Sequence, residues 1–553
     1  MIIIGALLAS LLVDGNFAAI GADTPGCAVA VSRNDRTVVE RAYGQADLNL
    51  NVPLTPKSIF YIASDSKQFT AASVALLIDE GKLQPGDSVV KWIPELPAAV
   101  YAPVTIRDLI HHTSGVRDYW GLFDIAGRSN TEPFTQHDFL QLMARQRGLN
   151  FKPGSRFEYS NSGYALLALV VERASGQPLA AFATERIFRP LGMMETSYGA
   201  NHGAALAGLA TGYGFDDEKY GSVPATVEPL GDGGVRTTVG DLLLWLHNLA
   251  QNRLGGNPQR VGTMLLEPGR LNNGDSVSYA FGLGIGKRDG YLMYDHTGSY
   301  AGFQSFVAWL PQPKLAVAVL CNAESPSFTP WGSGLAVIDE IFGVTQAPSS
   351  PHQESEQPVA LAPAQLRSLT GTFMESDGTV WKLTVDGPNL VASVQGIRFV
   401  LQPFSPTHFH AVGAPQRVEL YFAPNGASLQ VGNQAIEPLT RFTPPALSGT
   451  QLHKYTGSFY SSDLDLTLYV CDDHGKLYVR REGAAREPLQ PVALDDFRRG
   501  GQDIRFQRNS RGITSFTVSA SGADDVLFIR VPGRPGLMLT GSQARCPGDG
   551  APE

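Results

Sequence analysis

Positive charge, cysteine and long apolar runs are all scarce in these 553 residues, and each shortage removes a class of protein. Lys and Arg total 43 against 52 Asp and Glu, a net charge of −9. That balance lacks the basic face that a nucleic-acid partner requires, and no polybasic patch marks a membrane-binding surface. Four cysteines cannot frame a chain of this length. Cys27 and Cys321 lie in apolar, strand-like runs and read as buried thiols, while Cys471 and Cys546 leave a pairing open. There is no C-x-x-C and no H-E-x-x-H, so no metal or cofactor is implied. "FGLGIG", residues 281–286, misses G-x-G-x-x-G, and the absence of G-x-S-x-G removes the α/β-hydrolase elbow. The longest apolar stretch, "IIIGALLASLLV" at 2–13, has twelve residues, too few to span a bilayer. It is similar to a secretory h-region, with Ala19 and Gly21 as small residues before cleavage at Ala22. No Lys or Arg precedes it; the alternative is an apolar helix, residues 1–21, packed on the first domain. Periplasmic or secreted placement is favoured over cytoplasmic.

The rest is ordinary for a globular protein, 43% hydrophobic and 17% charged, but too long for one core. Residues 26–46 read as two strands around "SRNDR". A helix follows from about Ser64 to Gly81, and others near 105–112, 135–146, 162–176 and 238–250. Two hairpins, one turning at Asp289-Gly290, precede a helix in "SGLAVIDEIFG". Strands, then helices, then strands again predict an α+β domain, an antiparallel sheet flanked by helices, over 1–345. Residues 346–364, rich in Pro, Ser and Gln, read as a linker. Beyond it "LTGTF" and "YTGSF" open two similar units, Gly371 corresponding to Gly457. Their short alternating strands predict two small antiparallel β-barrels, 365–445 and 446–553.

Ser64 and Lys67 in "SDSK" pose the chemical question. A serine is a favoured helix N-cap and a first-turn lysine is unremarkable. Ser88 and Lys91 even repeat the spacing. A nucleophile instead needs a helix N-terminus, a lysine one turn on, and polar groups converging from elsewhere. Two stretches supply candidates. Tyr159 and Asn161 form the one Tyr-x-Asn, just before an apolar helix, and their bland reading is an Asx turn. His296, Thr297 and Gly298 form the one His-x-Gly, at a strand end where a glycine lets a substrate backbone approach.

Taken in order, S-x-x-K, Tyr-x-Asn and His-Thr-Gly match the three-element signature of penicillin-recognising serine hydrolases. The chain resembles the β-lactamase-like family: class C β-lactamases, D-alanyl-D-alanine carboxypeptidases, esterases and D-aminopeptidases. "SKQFT", "GDGG" and the run from Ser114 to Trp120 look most like bacterial D-aminopeptidases, which also carry two C-terminal eight-stranded barrels. The resemblance implies acyl transfer on amide or ester bonds, with small peptides, amides or esters as partners and D-residue peptides foremost. Alternatives are a broad-specificity esterase, a weak β-lactamase, or a silent penicillin-binding sensor. It implies Ser64 as nucleophile, Lys67 and Tyr159 sharing the proton work, and Asn161 holding Lys67. His296 stands where many relatives carry a lysine, and Thr297, Gly298 and Ser299 border the substrate, with the N–H groups of Ser64 and Ser299 as oxyanion donors. An unperturbed histidine titrates near pH 6.5, so carboxylate recognition through His296 is expected to fade as pH rises. His111 and His112 read as structural. The long barrel loop of D-aminopeptidases is replaced by a short turn near Arg499-Gly500-Gly501, with Asp495 and Asp496 nearby, which implies a more open site.

Overall fold

Asn34 and Asp35 take φ of 54° and 60°, the type I′ geometry that suits strand twist. They join strand Cys27–Arg33 to strand Arg36–Tyr43. The computed structural model describes residues 13–128, 132–199, 207–216, 219–325, 328–342, 359–375, 379–394, 397–412, 418–423, 426–431, 436–443 and 445–531. The chain divides into two units, one of Met1–Asp124 with Arg128–Gln346 and one of Ile125–Gly127 with Ala347–Glu553.

In the first unit a six-stranded sheet runs in the order Gly284–Arg288, Tyr291–Tyr300, Phe303–Leu310, Leu315–Cys321, Cys27–Arg33, Arg36–Tyr43. Every neighbouring pair is antiparallel. Helices cover both faces, which is why "CAVAV" is apolar at every position rather than alternating. Val29, Val31, Phe306 and Val317 pack with Val337 and Ile338 of helix Pro330–Phe342. The opposite face carries Ala28, Ala30, Ala316 and Ala318, all buried; small side chains there let helix Val239–Gln251 lie close. Helix Lys67–Asp79 is buried on every side from Lys67 to Ile78, as an all-round apolar helix must be. It packs on helix Asn161–Ser175, and Gly81 at φ 71° ends the segment.

Cys27 and Cys321 are not separate thiols. They face each other across the strand ladder and form a disulfide, 294 residues apart in sequence with Cα atoms 4.0 Å apart. Cys546 lies outside the described residues, and with it the pairing considered for Cys471. Residues 1–12 also lie outside, but Val13 and Phe17 are buried in the sheet's core, and Phe17 stacks on Tyr43 at 5.0 Å. Among the described residues no helix is long and apolar enough to cross a membrane.

The second unit holds two closed eight-stranded antiparallel barrels, from Gly371–Met374 to Glu437–Phe442 and from Gly457–Ser461 to Ala523–Val531. Before them, most of the segment read as a linker lies outside the described residues, but its end starts a short helix, Pro363–Leu369, with Leu366 buried. Both barrels close by the same device. In the first, Arg441 of the last strand pairs with Phe373, lies over its ring at 5.2 Å, and donates to the Thr370 carbonyl. In the second, Arg530 pairs with Phe459, lies over it at 4.7 Å, and donates to the Thr456 carbonyl at 2.7 Å. Gly371 and Gly457 leave room: a Cβ would meet Arg441 Nε at 3.0 Å or Arg530 Nη1 at 2.5 Å.

Candidate active site

Ser64 sits in a 3-10 turn, Ala63–Ser66, that leads into helix Lys67–Asp79. Ala63 takes φ 44°, a conformation a non-glycine residue holds only when its surroundings enforce it. The enforcement is visible. The Ile62 N–H donates to the Val235 carbonyl at 3.0 Å, and Ser305 Oγ donates to the Ile62 carbonyl at 2.9 Å. Strand Tyr291–Tyr300 then lies directly against the turn. At Gly298 a Cβ would stand 2.3 Å from Ile62 O and 3.0 Å from the Ser64 nitrogen.

Lys67 is fully buried one turn on. Its Nζ donates to Ser64 Oγ at 2.9 Å, Asn161 Oδ1 at 2.8 Å and the Asp232 carbonyl at 2.9 Å. Burial pushes its pKa down to about 8, against the pull of Asp232, Asp118 and Asp65. Asn161 opens its helix after the Ser160 cap, which accepts from the Gly163 N–H at 3.3 Å. The Asn161 N–H is held in turn by Asp118 Oδ2. Asp118 and Asp232, the acids of the "RDYW" and "GDGG" stretches, therefore frame the lysine.

Tyr159 lies with its ring 4.8 Å from Lys67 Nζ. Burial pushes its phenol well above 10, opposed by a hydrogen bond with Ser64. His112, read from sequence as structural, lies beneath it: the rings are 4.3 Å apart. His112 Nδ1 accepts from the Ser160 N–H at 3.1 Å, and its carbonyl accepts from the Glu158 N–H at 2.8 Å. Both ends of the Tyr159 segment are thus fixed by one residue. His111 is bonded to the Tyr279 carbonyl at 3.1 Å.

His296 is buried, and neither ring nitrogen is free. The Thr297 carbonyl, 2.7 Å from Nδ1, can only accept, so Nδ1 carries the proton and Nε2 accepts from Tyr279 OH at 3.0 Å. Burial, then the charge of Lys67, pushes its pKa down to about 3. The expectation of a titration near pH 6.5 is corrected: His296 is neutral across the whole physiological range.

Ser64, Tyr159, Asn161 and Ser299 line one cavity of about 490 Å³, while Lys67, His296, Thr297 and Gly298 are not among its lining residues. Ser88 and Lys91 join nothing comparable. Ser88 Oγ donates to the Ala102 carbonyl at 2.8 Å, and Lys91 forms an exposed pair with Asp87. In the second barrel the turn is Gly500-Gly501, between strands Asp496–Arg499 and Gln502–Asn509. Asp495 accepts from Tyr455 OH at 2.8 Å and pairs with Arg508, while Asp496 pairs with Arg505.

The Beta-lactamase family model matches residues 13–331. Penicillin-binding protein 4* of Bacillus subtilis (strain 168) is 30% identical over 406 residues, 70% of this chain and 88% of that protein. D-aminopeptidase of Brucella anthropi is 26% identical over 525 residues, 92% of this chain and 95% of that protein. Among solved structures, the octameric penicillin-binding protein homologue from Pyrococcus abyssi matches with a TM-score of 0.54 at 23% identity. It covers 77% of this chain and 98% of that one, a likeness of fold.

Proposed function

The chain belongs to the beta-lactamase family of serine hydrolases, and from that premise we propose that it cleaves amide or ester bonds through an acyl-enzyme on Ser64, with D-amino-acid peptides or amides as its substrate class. One observation carries the mechanism: a buried lysine with its pKa lowered to about 8 lies 2.9 Å from the Ser64 hydroxyl. In its neutral form Lys67 accepts the hydroxyl proton as Oγ attacks the carbonyl carbon. Tyr159 stays a phenol, since burial disfavours the phenolate. It passes the proton on to the leaving group, while Asn161 keeps Lys67 in place. The N–H groups of Ser64 and Ser299 receive the oxyanion; the close packing of Gly298 on Ser64 brings those two backbones together. Water then attacks the ester and frees Ser64. His296 orders this wall through Tyr279 and carries no charge to the substrate.

The preference for D-residues rests on the likeness to D-aminopeptidase over most of both chains. The test is a panel of D- and L-aminoacyl amides, D-Ala-D-Ala peptides, nitrocefin and nitrophenyl esters, together with fluorophosphonate labelling. Ser64→Ala loses labelling and turnover; Ser88→Ala keeps both. Turnover that survives in Ser64→Ala refutes the mechanism, and faster cleavage of L- than D-amides refutes the substrate class.

A further inference from the structure

The cavity wall is aromatic and acidic. Tyr61, Tyr119, Trp120 and Tyr300 line it together with Asp232 and Glu324, and among the described residues no Lys, Arg or His does. The rings pack in series: Tyr61 to Tyr300 at 5.6 Å and Tyr300 to Trp120 at 5.8 Å, with the buried Tyr119 behind Trp120 at 5.0 Å. Three of them are fixed by their hydroxyls. Tyr61 OH accepts from the Gly234 N–H at 2.8 Å. Tyr300 OH accepts from the N–H groups of Thr226 at 3.0 Å and Val227 at 2.9 Å. Tyr119 OH donates to Asp232 Oδ2 at 2.8 Å. Asp232 itself is 6% exposed.

We infer that this cavity selects substrates carrying an organic ammonium group and disfavours those carrying a carboxylate, an inference that rests on Ser64 acylation as read above. Pre-ordered aromatic faces present negative charge to a cation, and the two carboxylates add to it. A substrate carboxylate meets the opposite. The three protons of Lys67 are committed to Ser64, Asn161 and the Asp232 carbonyl. His296 bonds to Tyr279 and to its own strand. Among the described residues that line the cavity, no cationic donor is left to receive an anion.

Three nitrophenyl esters on one acyl skeleton test this with the intact chain, ending in trimethylammonium, in its isostere tert-butyl, and in carboxylate. The expected kcat/KM for the cation is about tenfold above tert-butyl, and that for the carboxylate about tenfold below. Trp120→Leu and Glu324→Gln each shrink the cation-to-neutral ratio at least about threefold. Equal rates, or a preference for carboxylate, overturn the inference while leaving the serine hydrolase reading intact. If none of the esters is cleaved, that reading has failed. Calorimetric titration of benzyltrimethylammonium and benzenesulfonate into Ser64→Ala protein then decides the selectivity. Tighter binding of the cation supports the inference, and equal or reversed affinity sinks it.

Discussion

Replacing Asp232 with Asn changes the charge beside Lys67 and almost nothing else. The bond Lys67 makes to this residue is to its backbone carbonyl, at 2.9 Å, which survives the substitution. An asparagine oxygen can also accept from Tyr119 OH as Oδ2 does now. What goes is the carboxylate, the strongest of the charges holding the lysine's pKa up against burial. With the wild-type value at about 8, the neutral lysine rises from about a tenth of the molecules at pH 7 to about nine tenths at pH 9. In the proposed mechanism neutral Lys67 is the reactive form, so the acylation rate should climb about tenfold across that window. Removing the carboxylate lowers the lysine's pKa. If the loss is about 1.4 kcal/mol, one pH unit, the limb moves to near 7 and the same window gives only about a twofold rise. The assay is the second-order rate of fluorophosphonate labelling from pH 5.5 to 10 in both proteins, since it reads nucleophilic attack by Ser64 of the free enzyme, with fluoride as leaving group. A limb that stays in place, or moves upward, would refute the claim that this lysine is the base.

Gly298→Ala pushes a Cβ to 2.3 Å from Ile62 O; the strand must retreat from Ser64, and labelling should slow by about 10²-fold, the usual cost of an ångström of misplacement. A well-folded variant that labels at the wild-type rate removes the close packing from the mechanism. Because the His296 pKa lies near 3, His296→Gln should leave unchanged the shape, from pH 5 to 8, of the ratio of kcat/KM for a carboxylate ester to that for a neutral one, and a step near 6.5 that the substitution removes would contradict it. A fragment of residues 359–531 should fold alone into β structure with a cooperative melt, because the first barrel has its own apolar interior around Trp381, Leu383 and Phe409 and the second one around Phe459, Phe506 and Phe516; an unfolded fragment by circular dichroism would count against it.

The convergence of Ser64, Lys67 and Asn161 was legible because two short motifs carry it in chain order. The strands were legible from alternation and from turns such as Asp289-Gly290. What escaped were buried polar groups set by distant contacts. Asp118 and Asp232 sit in loops without periodicity, and only the fold brings them to Lys67. His112 looked like a helix-end residue because its stacking partner, Tyr159, comes 47 residues later. Cys27 and Cys321 were missed for the same reason: the register that opposes them joins the first and last strands of the sheet. His296 was misjudged because a histidine's ordinary pKa is a solvent value, and this one is buried.

The repeated Thr-Gly-x-Phe and arginine latch leaves a folding problem that the chain must solve elsewhere. Closing either barrel correctly brings together strands separated by roughly 70 residues. Joining the first strand of the first barrel to the last strand of the second spans roughly 160, and doubling a loop costs only about 0.6 kcal/mol of entropy. Since the latch residues are alike, neither distance nor the latch tells a right closure from a wrong one. Discrimination falls to the interiors, where the opening strand of each barrel must match its own neighbours in shape. Mutations that make the two interiors more alike should therefore give exchanged strands, within one chain or between two, before they give unfolded protein.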